Sequence, residues 1–246
     1  MDGPDRYFSL VIELLARLRE SQRAAVAAAA EAIAASLAAD GIVHLFGTGH
    51  SHMLAEEVFY RAGGLMPVQA MLDPTVVLSG GARRSTVTER TPGAAAEIAT
   101  RYDLRASDVG IVISNSGRNP APIEMAQLMK ARGLKVIAIT SMAHSSVLPP
   151  LPPHSRRLFE IADIVIDNGA VYGDAALPLD GAPHPTGPTS TIAGATLLHA
   201  VFIGAMEHLI AGGGSVVNFP SGNIEGADAT AIAAEFERYR DRIRHW

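Results

Sequence analysis

The chain has 246 residues, 48% of them hydrophobic and 18% charged, with a formal net charge of −5. That is ample material for a buried core and the wrong charge balance for a nucleic-acid partner, because phosphate backbones recruit basic faces. There are no cysteines, which excludes disulfides, thiolate zinc sites and a cysteine nucleophile and fits a cytoplasmic location.

The first residues, MDGPDRYF, lack the basic-then-apolar pattern of a signal peptide. Phe8, Val11, Ile12, Leu15 and Leu18 then recur at three- and four-residue intervals and predict a helix. Ser21 stands where it would cap a second helix running to Leu37, with Asp40 and Gly41 stopping it. The alanine-rich run 24–39 reads as a close-packing helix. No stretch reaches the roughly 20 apolar residues that a membrane span needs, so no membrane partner is expected.

Beyond residue 41 the rhythm changes. Short apolar runs at 42–46, 67–72, 109–113, 134–139 and 163–167 alternate with helix-length segments at 50–62, 88–101 and 119–132. Continuous apolar strands alternating with helices imply a parallel sheet covered on both faces. The expected fold is a three-layer αβα sandwich around a five-stranded parallel, doubly wound, flavodoxin-like sheet. A Gly- and Pro-rich loop at 168–188 leads to helices at about 189–211 and 228–243. With no repeat and no linker the chain reads as one domain, 1–246: N-terminal helices at 1–40, a core at 41–211 and a C-terminal extension at 212–246. The PPLPP segment at 149–153 reads as a rigid surface connection, with a polyproline ligand as the alternative.

Two strand ends carry anion-binding chemistry. The first is Gly47, Thr48, Gly49, His50 and Ser51, where glycines admit close backbone approach and a following helix offers N–H groups. The second is the run VISNSGRN, with Ser114, Asn115, Ser116, Gly117 and a capping Asn119. Neither is a dinucleotide fingerprint or a P-loop. Together they donate several neutral hydrogen bonds to one small, doubly charged group.

The order GTGHS, ISNSGRN, LKVIAITS, ADIVIDNG and GPTSTIAG resembles the sugar isomerase (SIS) phosphosugar-binding domain over roughly residues 5–210, and within it the phosphoheptose-isomerase-like group. The resemblance implies an SIS-type sheet and a sugar phosphate ligand. It also implies a homodimer or homotetramer with sites near subunit interfaces. Its serine-rich phosphate loop falls on Ser114, Asn115, Ser116 and Gly117, with Asn119 replacing the usual small hydroxyl. Its sugar-side loop falls on Gly47, Thr48, Gly49 and Ser51, and Ser190 and Thr191 fall where its last core helix approaches the sugar or a neighbouring subunit.

Aldose–ketose isomerisation moves a proton between C1 and C2 and so needs a base whose pKa lies near neutrality. Glu57 is the first candidate, Glu89 the second, and His184 the distal histidine best placed to reach a site. Where phosphoheptose isomerases carry a histidine and then a glutamate along the first helix, this chain has Glu57 and Arg61. The metal pattern is thus not reproduced, and neither a metal nor another cofactor is expected. Glu57 and Arg61 also have the spacing of an ordinary i,i+4 ion pair. His50 and His52 do not share a helical face; one is a sugar contact and the other a packing or capping residue on this reading. Arg83 and Arg84 are either an anion clamp or a solvated pair. His44, His199 and His208 read as structural. The resemblance supports an isomerase. It leaves open a phosphosugar sensor without chemistry, and a lyase or etherase on the same fold.

Overall fold

The computed structural model of the chain describes residues 2–223 and 229–246. Helix α1 (Gly3–Ser21) starts where Asp2 accepts the Asp5 N–H at 3.0 Å, with a proline in its first turn. It buries Leu14 and Leu18 and leaves Phe8 and Ile12 exposed. Helix α2 (Arg23–Ala38) follows with Gln22 at its N-cap and no side-chain cap. Ser21 therefore ends α1 rather than capping α2. Asp40, at φ 59°, turns the chain out of α2 and into the sheet.

The core elements come in the expected alternation: β1 (Val43–Gly47), α3 (His52–Glu57), β2 (Val68–Ala70), α4 (Ala82–Thr88), α5 (Ala94–Ala99), β3 (Val109–Ile113), α6 (Pro120–Ala131) and β4 (Lys135–Thr140). Short helices α7 (Met142–Ser145) and α8 (Leu158–Ile161) precede β5 (Ile164–Asp167), and α9 (Ser190–Ala211) and α10 (Ala229–Tyr239) complete the chain. The five strands are all parallel in the order β2-β1-β3-β4-β5. The order reverses between β1 and β3. Such a switch point opens a crevice at the carboxyl ends of the two strands.

Alternation along the strands sorts the core into two layers. Val43, Leu45, Ile111, Ile137 and Ile166 pack with α1, α2, α3 and α9, whereas Phe46, Val112, Val136 and Ala138 pack with α5, α6 and α8. Each large side chain so buried contributes about 1.5–3 kcal/mol relative to exposure. Met125 and Met129 of α6 are fully buried in the second layer.

One helix prediction and one reading of composition needed revision. The segment 88–101 is not one helix: Pro92, and Gly93 at φ 88°, separate α4 from α5 and leave Glu89 at the break. Helix α9, at 22 residues, is by length and composition apolar enough to cross a membrane, contrary to the sequence expectation. Here it buries Ala193, Gly194, Leu197, Leu198, Val201 and Phe202 on one side.

The C-terminal residues close the amino ends of the first strands. Asp108 accepts two bonds from Arg242 Nη2, at 2.8 and 3.0 Å, and lies 3.1 Å from His44 Nε2. The His44 and Asp108 side chains are wholly buried. Burial alone would raise Asp108, but hydrogen bonds from His44, the Arg105 and Ile42 N–H groups and Arg242 outweigh it and hold the carboxyl at about 2. Trp246 packs edge-on against Phe236 and Tyr239, with ring centroids 4.8 and 6.4 Å away.

Candidate functional site

A cavity of about 730 Å³ lies at the switch point, lined by Thr48, Gly49, His50, Ser51, Glu89, Arg90, Ser114, Asn115, Ser116, Arg118, Asn119, His144, Leu151, Gly173 and Asp174. Both predicted loops thus meet in one cavity.

The first loop turns tightly as it leaves β1. A Cβ on Gly47 would lie 2.5 Å from the Ser51 backbone, so only glycine fits. The Gly49 N–H donates to Val76 O at 3.0 Å and to Ser85 Oγ at 3.2 Å, and the Ser51 N–H to Thr48 O. The Gly49 and Ser51 amides are thus engaged within the protein, and the side chains of Thr48, His50 and Ser51 stand along the cavity. His50 is exposed on the cavity wall. His52 is buried, its Nδ1 against Gly49 O and its Nε2 3.6 Å from Glu56. The two histidines separate into a cavity residue and a packing residue.

The second loop is built to present donors. Gly117, at φ 58°, donates its N–H to Ser114 Oγ at 3.2 Å, which closes the turn and leaves the Ser114 O–H free to donate. Ser116 keeps its hydroxyl unpaired among the described residues, as do the N–H groups of Ser116, Arg118 and Asn119. Asn115 accepts the Asn168 amide at 2.9 Å through its side-chain oxygen, leaving its own NH₂ to the cavity. Asn119 occupies the N-cap position of α6 but makes no side-chain cap bond. Pro120 and Pro122 remove two N–H donors from that helix start, and the Ala121 N–H donates to Glu89 O at 3.0 Å. The amides left unpaired here, among the described residues, are therefore those of the loop rather than of the helix.

Arg118 supplies the positive charge. Its Nε donates to Pro149 O at 3.0 Å, and Leu151 returns an N–H to Arg118 O at 2.9 Å. The PPLPP segment is accordingly a rigid lip that aims a guanidinium. Arg90 also lines the cavity, whereas Arg83 and Arg84 are exposed and outside it.

The carboxylates divide in the same way. Glu89 lines the cavity and accepts the Thr48 hydroxyl at 2.7 Å. Glu57 lies outside the lining, paired with Arg61 and with His199 Nε2 at 3.0 Å. Asp174 takes the start of α9, accepting the N–H groups of Thr189 and Ser190 at 3.0 Å each and the Ser190 hydroxyl. That bond engages the Ser190 hydroxyl. Neither Ser190 nor Thr191 lines the cavity, and His184 is exposed on the loop before α9. Among the described residues no three His, Asp or Glu side chains gather as a metal site.

Arg90, Arg118, His144 and Asp174 were not singled out from the sequence. Arg118 stands inside the SNSGRN run, so adjacency was its signal. His144 and Asp174 follow β4 and β5, and only the rule that ligands gather beyond the carboxyl ends of strands points to them.

A flavodoxin-like sheet with a polar cavity at its switch point is the frame of an SIS domain, and the family model described as SIS domain matches residues 6–141. The chain is 41% identical over 239 residues to a UPF0309 protein of Geobacillus thermodenitrificans, covering 97% of this chain and 96% of that one. It is 43% identical over 242 residues to a UPF0309 protein of Brucella ovis, covering 98% of each. The chain belongs to the SIS domain family and, within it, to the UPF0309 proteins.

Solved structures of similar fold include a phosphoheptose isomerase from Francisella tularensis, with TM-score 0.57 and 18% identity over 84% of this chain and 100% of that one. Another is the Vibrio vulnificus NanR protein complexed with ManNAc-6P, with TM-score 0.53 and 17% identity over 85% of this chain and 64% of that one.

Proposed function

We propose that the switch-point cavity binds a sugar phosphate and that the chain catalyses its aldose–ketose isomerisation. One observation carries the reading: an anion-donor loop with a guanidinium, Ser116 to Arg118, shares a cavity with the hydroxyl-bonded carboxylate of Glu89. In this reading the phosphate takes the loop N–H groups, the Ser116 hydroxyl and Arg118. The sugar extends across the cavity towards Thr48, His50 and Ser51. Glu89 carries the proton between C1 and C2, with Thr48 fixing one of its oxygens. The position of Glu89 favours it over Glu57 as the acid/base, because the Glu57 carboxylate is engaged by Arg61 and His199.

A screen of hexose, amino-sugar and heptose phosphates tests both halves. Binding is read by calorimetry and turnover by chromatographic detection of the isomer. Failure of every member to bind would overturn the site assignment. Tight binding without turnover would move the function to the second reading, a phosphosugar sensor, which the similarity to the NanR protein favours.

We infer as well that a second copy covers the apolar face of α1, α2 and α9. Phe8, Ile12, Ile203 and Ile210 are each more than half exposed there. A groove of about 840 Å³ runs between the three helices, and a surface of that character marks an association site.

A further inference from the structure

His144 stands on α7, whose first turn is held at the carboxyl ends of β4 and β5. Ser141 Oγ accepts the His144 N–H at 3.1 Å and donates to Ala170 O at 2.6 Å, and Asp167 accepts the Met142 N–H at 2.9 Å. The imidazole lies against Tyr172, ring centroids 4.8 Å apart, and lines the cavity with Arg118 and Asp174. Its Nδ1 is buried and has no hydrogen-bond partner among the described residues.

That orphaned nitrogen decides the tautomer. A proton on Nδ1 would be a buried N–H without an acceptor, whereas a bare lone pair there is the cheaper defect, since unsatisfied acceptors are tolerated better than unsatisfied donors. The single proton of the neutral ring then sits on Nε2, the nitrogen left to meet a ligand. Protonating both nitrogens would create the same buried orphan. We infer that His144 is a substrate-facing hydrogen-bond donor, a neutral imidazole whose Nε2–H binds a sugar hydroxyl or carbonyl oxygen opposite the phosphate loop.

The charges around it agree. Burial lowers the pKa of His144, the Arg118 guanidinium lowers it further, and Asp174 opposes them without reversing the direction. Asp174 is already engaged by the start of α9, and the remaining charged or titratable groups of the cavity are Glu89, Arg90 and His50. A neutral donor suits a carbonyl that gains negative charge as a proton leaves the neighbouring carbon.

This inference rests on the sugar-phosphate reading of the cavity, and its test separates the two. Calorimetry with fructose 6-phosphate and with inorganic phosphate is run on the native chain, His144→Phe, His144→Gln and Arg118→Met. Thermal unfolding is used to confirm that each variant folds. His144→Phe keeps the ring but not the donor, and is expected to weaken fructose 6-phosphate binding about tenfold while leaving phosphate binding unchanged. His144→Gln places an amide N–H near the imidazole Nε2 position and is expected to stay within about threefold of native. Arg118→Met should weaken both probes. Nitrogen-15 shifts of the neutral native ring, read at about pH 8, should show Nε2 protonated and Nδ1 bare.

If the native chain binds neither probe and no other member of the sugar-phosphate screen, the sugar-phosphate reading falls and takes this role with it; if another member binds, that sugar phosphate replaces fructose 6-phosphate in the same comparison. If the native chain binds both and His144→Phe leaves fructose 6-phosphate unaffected, or weakens both probes equally, only the role of His144 falls. A proton on Nδ1 would overturn it as well.

Discussion

The Thr48 hydroxyl donates a 2.7 Å hydrogen bond to Glu89 Oε2 across 41 positions of sequence. The same residue's backbone oxygen accepts the Ala121 N–H at the start of α6. Glu89 therefore ties the loop after β1 to the helix after β3, the two elements that flank the switch point. Its place follows from a broken helix. Had 88–101 run on as one helix, Glu89 would have lain within it rather than at the gap between α4 and α5.

Replacing Glu89 with glutamine keeps the acceptor for Thr48 and removes the base. If the isomerase reading holds, turnover falls by about 10²–10⁴ while sugar-phosphate affinity changes only a few-fold. Steady-state rates alongside calorimetry check this. Unchanged turnover would return attention to Glu57, whose carboxylate meets His199 at 3.0 Å.

Arg118→Met tests the source of phosphate affinity. A charge-assisted hydrogen bond contributes about 1.5–3 kcal/mol, so affinity for a sugar phosphate should fall about tenfold to a hundredfold. Raising the salt concentration should weaken the native protein more than the variant. Equal salt sensitivity in both would place the anion elsewhere.

The buried Asp108 makes stability depend on acid. Its folded pKa of about 2 lies below the ordinary carboxyl value of 3.8. The stabilisation is therefore fully present above about pH 4 and is lost as pH falls from about 4 towards 2, amounting to roughly 2 kcal/mol. Urea unfolding across that range should show the loss in the native chain and a flatter profile in Asp108→Asn. Arg242→Met, which strips Asp108 of its guanidinium partner, should cost about 3–5 kcal/mol near neutral pH.

The apolar face gives a fourth outcome. The native chain should scatter light as a dimer or larger assembly at micromolar concentration, and Ile203→Arg should shift it towards monomer. Ile203 is 57% exposed, so this substitution disturbs no core contact. A native monomer would refute the association.

Several features are legible in the sequence alone. The apolar strands alternate with helices at regular spacing, and that periodicity fixes a covered parallel sheet; five runs became the five strands, with ends shifted by a residue or two. Both cavity loops were legible because their residue types are needed locally: Gly47 for a turn too tight for a Cβ, and Gly117 for a left-handed backbone. Buried Met125 and Met129 followed from helical spacing alone.

Other features depended on contacts distant in sequence. Whether a glutamate meets the cavity or a neighbouring arginine depends on how its helix is rotated and where that helix stops, and periodicity constrains neither. Glu57 met Arg61 and His199, while Glu89 met Thr48. The partners of Asp108 come from β1 and from the last turn of the chain, and His144 gained its place from α7 packing beside Tyr172. Sequence patterns record local backbone needs and which face of an element is apolar. Only the folded chain brings together side chains from separate strand ends, and the chemistry of this cavity is built from such side chains.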